Sequence, residues 1–330
     1  MSDRIPAVSR TRVAVRALLD TARSGGHLES GFLDVACSGG ADSLALAAAA
    51  VHEGHRGGLA VRGVVVDHGL QPGSREVAER AAEQLAGLGA DETLVLRPPV
   101  TGGGGVEAAA RRARYQALRG ALRDPRQLVL LGHTLDDQAE TVLLGLGRGS
   151  GPRSIAGMRA LDPPWGRPLL ECSRAVTAQA CRELGLRPWT DPHNSDPRFT
   201  RVRLRREVLP LLEEVLHGGV AEALCRTSAQ LREDGAALDQ WAEKLFALSG
   251  SDQGHGALVV SVLADAPAAV RRRVFRRWLM DHGVRELTDL HLRAVDELVG
   301  RWRGQGAVWL PGGLVVERAH GRLQVGRPAG

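Results

Sequence analysis

The stretch Ser38-Gly39-Gly40-Ala41-Asp42-Ser43 stands directly after the mostly apolar run Phe32-Leu33-Asp34-Val35-Ala36-Cys37 and directly before Leu44-Ala45-Leu46-Ala47-Ala48-Ala49-Ala50. A short buried strand, a hydroxyl-rich glycine turn and a helix start form the unit with which α/β proteins cradle phosphate. The two glycines let the backbone approach an anion, Ser38 and Ser43 add hydroxyl donors, and the first amides of a helix have no partner within it. Ser38, Gly39, Gly40, Ala41, Asp42 and Ser43 are therefore the candidate nucleotide-binding residues. The competing reading is an ordinary Gly-Ser turn with Asp42 as a helix cap.

Outward from this loop, apolar runs and helical patterns alternate. Strands are expected at Ala60 to Val66, Thr93 to Leu96, Gln127 to Leu131 and Pro168 to Glu171. Helices are expected near Arg75 to Leu88, Val106 to Leu122, Leu135 to Leu146 and Val176 to Leu184, with the run Gly102-Gly103-Gly104-Gly105 as a flexible connection. This spacing predicts an α/β fold with a doubly wound, mostly parallel sheet. Ligands of such sheets bind outside the carboxyl ends of the strands, so Ser38–Ser43, Asp67-His68-Gly69 and His133 to Asp137 should converge on one cleft. Asp67 and His68 join the nucleotide-binding candidates on that ground.

From about His217 the strand pattern gives way to helices over Val220 to Leu248, Ala268 to Asp281 and Leu287 to Trp302, with a loop from Gly250 to Gly256. A small hairpin closes the chain: Ala307 to Leu310, the turn Pro311-Gly312-Gly313, Leu314 to Arg318 and Arg322 to Val325. The expected division is a catalytic domain over 1–216 and a smaller, mainly helical domain over 217–330.

The 330 residues suffice for about two domains. With 43 Lys+Arg against 38 Asp+Glu the formal charge is +5, and Lys244 is the single lysine. Arginine grips phosphate bidentately, which suits a nucleic-acid partner, although an arginine-for-lysine bias also follows from genomic base composition. Cys37, Cys172, Cys181 and Cys225 form no C-x-x-C pair, which argues against a zinc ribbon, an iron–sulfur cluster or a disulfide scaffold. The N-terminal residues carry no secretory pattern. The longest apolar run, Leu44 to Val51, falls far short of the ~20 residues of a membrane span. A cytoplasmic protein without membrane attachment is expected.

Gly132-His133-Thr134-Leu135-Asp136-Asp137-Gln138-Ala139-Glu140-Thr141 gathers a histidine and three carboxylates in one short stretch. On a helix, Asp136 faces the same side as Glu140, and His133 the same side as Asp137. Paired acids beside a phosphate loop can hold Mg2+, bind an amine or accept a proton, while acids in a first helical turn can also simply complement the helix dipole.

The loop is not the common P-loop, because no lysine follows its second glycine. It resembles the S-G-G-x-D-S signature of the ATP pyrophosphatase (PP-loop) superfamily, whose members split ATP into AMP and pyrophosphate. The later motifs narrow this. Val66-Asp67-His68-Gly69-Leu70, Val106-Glu107-Ala108-Ala109-Ala110-Arg111-Arg112-Ala113-Arg114-Tyr115, Leu131 to Thr141 and Arg148-Gly149-Ser150-Gly151 resemble, in order, those of the tRNA(Ile)-lysidine synthetases. Arg167-Pro168-Leu169-Leu170, Asp191 with Asn194-Ser195, and Thr200 to Pro210 continue the match. The chain departs from the pattern at Thr134, where a second histidine is usual, at Val202, where asparagine is usual, and at Ala41, where lysine is frequent. It resembles the compact form of the family, without a further C-terminal domain.

The resemblance implies a two-step reaction on the wobble cytidine of an isoleucine tRNA with a CAU anticodon. ATP adenylates the C2 oxygen of the base with loss of pyrophosphate, and the ε-amine of L-lysine then displaces AMP. It further implies ATP and Mg2+, with Asp42 holding the metal. Arg112 and Arg205 would stabilise the adenylated base or the phosphate, and Asp137 and Glu140 would hold or deprotonate lysine, which does which being open. His133 and Asp136 would complete the substrate pocket. Arg201, Arg203 and Arg206, and in the second domain Arg271, Arg272 and Arg276, would contact tRNA, the alternative for the second group being a solvated helix face. A homodimer is compatible with the sequence. The tryptophans Trp165, Trp189, Trp241, Trp302 and Trp309 are expected in packing roles. The rival readings are a tRNA thiolase of the same superfamily, an amidotransferase-type synthetase, and an RNA-binding module without catalysis. The scattered cysteines weigh against the first, and the lack of a glutaminase half against the second.

Overall fold

A computed structural model describes residues 5–101, 105–149, 151–192, 196–250 and 256–327. Gly102 to Gly104 of the glycine run, Ser150, Asn194 and Ser195 of the motifs, and residues 251–255 of the expected loop lie outside the described residues. By their internal contacts the residues fall into two units that divide between Ala229 and Gln230. The division lies inside a helix that begins at Val220, rather than ahead of it at Leu216.

The first unit is built on strands β1 (Phe32–Cys37), β2 (Ala60–Val66), β3 (Glu92–Leu96), β4 (Leu128–Leu130), β5 (Leu161–Asp162) and β6 (Trp165–Gly166). They form one sheet in the order β3-β2-β1-β4-β6-β5, parallel except for β5. Helices α1 (Ala7–Ser24), α2 (Ala41–Arg56), α3 (Ser74–Gly87), α4 (Val106–Gly120), α5 (Leu135–Arg148), α6 (Pro152–Ile155) and α7 (Arg174–Glu183) accompany it. Next come α8 (Thr200–Arg203), a π-helical turn at Leu204–Val208 and α9 (Leu209–Val215). Helix α10 (Val220–Ser249) runs across the division. The strand order reverses between β1 and β4, which makes a crevice at their carboxyl ends. The expected α/β architecture is thus present.

Leu33 and Val35 of β1, Leu44 and Leu46 of α2, Leu128 and Leu130 are fully buried and form the core on which the loop rests. Asp34 and Arg62, the two charges that interrupt apolar strands, are register partners on β1 and β2. Arg62 donates to both carboxylate oxygens at 2.9 and 2.7 Å and to the Ala121 carbonyl at 2.7 Å. Burial pushes the Asp34 carboxyl up against this pairing. A buried pair of this kind adds little net stability, but a slip of one residue would orphan both charges, so it fixes the register that aligns the strand ends.

One expectation needs correction. Pro168–Glu171 is a short 3-10 turn rather than a strand, and the sheet is extended by β6 instead. Pro168 has no N–H for a ladder and a fixed φ, and so starts a helical turn. Residues Ala7 to Ser24, unassigned in the sequence, form α1, which buries Thr11, Val15, Leu18, Leu19 and Ala22.

The second unit contains α11 (Val260–Ala264), α12 (Ala268–Asp281), α13 (Asp289–Gly300) and strands β7 (Leu258–Val259), β8 (Val308–Leu310), β9 (Leu314–Ala319) and β10 (Arg322–Gly326). The expected hairpin is there, within a four-stranded antiparallel sheet of order β7-β10-β9-β8 that accompanies the helices of this mainly helical unit. A strand as short as β7 leaves no periodic pattern to read. Val270, Val274, Phe275, Trp278 and Leu279 give α12 a buried face against Val295, Leu298, Val316 and Leu323.

Candidate active site

The loop between β1 and α2 is held from within by Ser43. Its hydroxyl donates to the Gly40 carbonyl at 2.9 Å and accepts from the Ser38 amide at 3.1 Å, with the Ser38 hydroxyl 3.3 Å away. Gly39 has φ +80°, which disfavours any residue with a side chain, and its carbonyl accepts from the Trp189 amide at 2.9 Å. No side chain caps α2 at Gly40, and Ala41 contributes backbone rather than the common lysine. The first-turn amides of α2 are therefore open to an anion. Asp42 is not a cap: its Oδ1 accepts from the Thr177 hydroxyl of α7. Burial, with the charges of Asp137 and Asp136, pushes the Asp42 carboxyl up against the pull of Thr177 and Arg174.

The strand end opposite supplies the acids. Gly132 packs so closely on the loop that a Cβ there would lie 3.1 Å from the backbone of Asp42 and Ser43. Thr134 starts α5 in a capping box: its amide and hydroxyl donate to Asp137 Oδ2 at 2.9 and 3.0 Å, while the Asp137 amide donates to Thr134 Oγ1 at 3.4 Å. The threonine that replaces the usual second histidine thus orients Asp137. Burial works to raise the Asp137 carboxyl, but Arg174, Thr134 and His133 outweigh it and hold the group below its ordinary range. Asp136 turns the other way and accepts the Arg174 amide at 2.8 Å at the start of α7. Glu140 is completely buried and accepts from Arg174 Nη1 at 3.0 Å and Arg205 Nε at 2.8 Å, with Arg201 Nη1 at 3.5 Å. Of the three acids only Asp137 lines the cleft.

That cleft is a cavity of about 490 Å3 whose wall includes Ser38, Asp67, His68, Arg111, Arg114, His133, Asp137, Trp189, Arg201 and Arg205. Loop, β2 end and β4 end converge as expected. Asp67 accepts the Gly69 amide at 3.0 Å and faces Arg97 at 3.4 Å. Burial and the charge of Arg114 lower both His68 and His133, the latter to about 3, so both imidazoles are neutral at neutral pH. Arg111, Arg114, Arg201 and Arg205 share the wall with Asp67, Asp137 and Asp191, and Arg114 Nε, His68 Nδ1 and His133 Nδ1 are buried without a hydrogen-bond partner among the described residues.

Arg112 is exposed and outside the wall, and Arg111 and Arg114, three apart on one face of α4, stand there in its place. Arg201 belongs to the wall and also donates to Thr141 at 3.3 Å, so it is not spread on the surface with its neighbours. Arg203 and Arg206 are exposed, Arg203 pairing with Glu207 at 2.9 Å. In the second unit Arg271 is buried, forked onto Asp296 at 2.7 and 3.1 Å and donating to the Ala266 carbonyl, which makes it a core residue rather than an RNA contact. Arg273 and Arg277 are paired with Asp239 and Glu243. Arg272 and Arg276, four apart on α12, have no carboxylate within 4.0 Å among the described residues. Trp165 is buried and Trp309 exposed, while Trp189 stands in the cavity wall rather than in a packing role alone.

The sequence reading missed Arg174 and Thr177, the two side chains that tie α7 to Asp42. Ser173 before Arg174 was the available signal, since serine favours the residue that precedes a helix.

A mostly parallel sheet with an S-G-G-A-D-S turn at its switch point defines a PP-loop ATP-utilising enzyme. Residues 14–212 match the PP-loop domain family, and residues 258–324 match the TilS substrate binding domain. The chain is 59% identical over 297 residues to a tRNA(Ile)-lysidine synthase of Rhodococcus erythropolis, covering 88% of this chain and 89% of that protein. It is 56% identical to the synthase of that name in Rhodococcus jostii (97% and 96% covered) and 54% identical to that in Mycobacterium tuberculosis (93% and 91%). The chain belongs to the tRNA(Ile)-lysidine synthase family. A solved U34-tRNA thiolase, NcsA from Methanococcus maripaludis, shares the fold at TM-score 0.55 and 18% identity, covering 69% of this chain and 80% of that one.

Proposed function

We infer that the chain joins L-lysine to C2 of the wobble cytidine of tRNA(Ile) with a CAU anticodon, at the expense of ATP. The observation that carries this is the placement of Ser38 of the phosphate loop and of Asp137 on one cavity that also presents Arg111, Arg114, Arg201 and Arg205. In the first step the C2 oxygen attacks the α-phosphorus and the bond to pyrophosphate breaks. The loop hydroxyls and the amides of α2 stabilise the departing charge. In the second step the lysine Nε bonds to C2, the bond from C2 to the AMP oxygen breaks, and the amine gives up its protons.

Asp137, ionised and facing the cavity, receives an ammonium of lysine. Glu140 does not touch substrate in this scheme: it acts through Arg201 and Arg205, setting their guanidinium groups beside the cavity. Arg111, Arg114 and Arg205 face the adenylated base or its phosphate in the role first given to Arg112. Neutral His133 borders the pocket that takes the cytidine, which must leave its stack to enter. The cavity volume falls in the range of small-ligand sites.

No group of three or more His, Cys, Asp and Glu able to hold a metal occurs among the described residues. Mg2+ ordinarily takes one or two carboxylates and fills its shell with phosphate and water, so Asp42 beside the loop fits it as a single protein ligand. When bound, the ion would neutralise phosphate charge. Arg203, Arg206, Arg272 and Arg276 contact tRNA in this reading. Every residue named for ATP, lysine and cytidine lies in one unit, so the scheme requires no second copy. No described helix is long and apolar enough to cross a membrane. Acting on tRNA, the enzyme would work in the cytoplasm.

Pyrophosphate release from ATP, followed with and without a tRNA(Ile) transcript, tests this reading. Release should require the transcript and cease when the wobble cytidine is replaced by uridine. Release indifferent to that base would contradict the assignment.

A further inference from the structure

The two oxygens of Asp137 are not equivalent. Oδ2 is taken by the Thr134 amide and hydroxyl, at 2.9 and 3.0 Å. Oδ1 is the oxygen left for a ligand, and the Arg174 guanidinium sits on it through Nη2. Arg205 Nη2 is further off, at 3.9 Å. Oδ1, like Oδ2, can take two donors, but an ammonium there would set a second cation beside the Arg174 guanidinium, so lysine binds Asp137 better once Arg174 has moved away.

Arg174 is placed to move. Its Nη1 reaches Glu140 at 3.0 Å, but Glu140 is also held by Arg205 and Arg201 and stays compensated if Arg174 leaves. Its Nε lies 3.8 Å from Asp42 Oδ2, in the first turn of α2 and next to the phosphate loop. Its backbone is pinned by the amide bond to Asp136, and Thr177 on the same helix is bonded to Asp42, so the helix stays put while the side chain is about a quarter exposed, at 23%. A phosphate in the loop offers a forked guanidinium a bidentate acceptor, a stronger partner than one oxygen of a shared carboxylate.

We propose that Arg174 is a positioning residue that occupies the lysine-binding oxygen of Asp137 in the free enzyme and is drawn to the phosphates once nucleotide fills the loop. Lysine affinity therefore depends on bound nucleotide, and by linkage nucleotide affinity depends equally on lysine. The device weakens amine binding until ATP is seated. It rests on the assignment of ATP to the loop and lysine to Asp137.

The test is calorimetric, on the full chain without tRNA, and reads lysine binding alone and with saturating α,β-methylene-ATP, which cannot release pyrophosphate. Wild-type lysine Kd should fall about fivefold or more when the analogue is present, in the ordinary range of coupling between sites. In Arg174→Gln the free enzyme should bind lysine more tightly than free wild type, and the analogue should no longer change the Kd. Arg174→Lys, which keeps the charge without the fork, should retain part of the ratio. A merely structural arginine predicts instead that Arg174→Gln weakens lysine binding with and without the analogue and leaves the ratio intact, and that result overturns the proposal. So does a wild-type ratio near one, which decides the matter even if Arg174→Gln does not fold. If the analogue binds and lysine binds in neither state, the functional reading itself fails.

Discussion

Glu140 accepts a hydrogen bond from Arg205 Nε at 2.8 Å, which joins the middle of α5 to the π-helical turn at Leu204–Val208. The wider turn lets Arg205 face the cavity while Arg203 and Arg206 face solvent. Arg201 and Arg174 reach the same carboxylate from α8 and α7. One buried acid therefore orients cations carried by α7, α8 and the π-helical turn.

Glu140→Gln should consequently fail as a fold before it fails as a catalyst. Removing the shared charge leaves three guanidinium groups without their common partner, at a cost on the order of 3 kcal/mol. Urea unfolding with pyrophosphate release measured in parallel checks this. A variant of wild-type stability with abolished turnover would instead make Glu140 a direct participant.

Asp42→Asn keeps the shape of the loop and the contact with Thr177 but removes the carboxylate beside the phosphates. Pyrophosphate release should fall by about 10²-fold or more, with tRNA affinity unchanged in a filter-binding assay. Wild-type release from this variant would remove Asp42 from the reaction.

Acid sensitivity should trace in part to His133. Its imidazole is held at about 3 in the folded chain against 6.5 ordinarily, so the folded state keeps it neutral. The stability this represents is fully present above pH 6.5 and is lost as pH falls from 6.5 toward 3, where the unfolded chain takes up the proton first. His133→Asn cannot protonate, and its melting temperature should decline less than that of wild type between about pH 7 and about pH 4. Parallel declines would place the acid sensitivity elsewhere.

The arginines of α12 should separate into two behaviours. Arg271→Ala leaves Asp296 unpaired in the core and should destabilise the second unit by roughly 3 kcal/mol without altering the salt dependence of tRNA binding. Replacing Arg272 and Arg276 together by alanine should leave stability near wild type and reduce the slope of log K against log salt by about 1 to 2. An unchanged slope in the double variant would return these side chains to an ordinary solvated face.

The parallel sheet and its loop were legible in the sequence because β1 to β4 are mostly apolar runs ending in turns, and the wall at Asp67, His68, His133 and Asp137 followed from where those strands end. What stayed hidden depends on angles and partners that spacing does not encode. The choice of Arg111 and Arg114 over Arg112 is set by the phase of α4 against the sheet, and the choice of Arg205 over Arg206 by the π turn. The burial of Glu140 and Arg271 is a matter of tertiary partners: as residue types both read as surface charges or catalytic groups. Arg174 went unread because the helix that carries it was begun two residues late, and β7 because a pair of residues has no period.

The central claim is tested most directly by incubating a tRNA(Ile) transcript bearing a CAU anticodon with the protein, ATP and isotopically labelled lysine, then digesting the RNA and weighing its nucleosides. The account predicts a single modified cytidine, at the wobble position, carrying the mass of one lysine less one water, with one AMP formed for each lysine incorporated. A tRNA that returns with its cytidine unaltered, or with its mass changed by sulfur and no label, would contradict it.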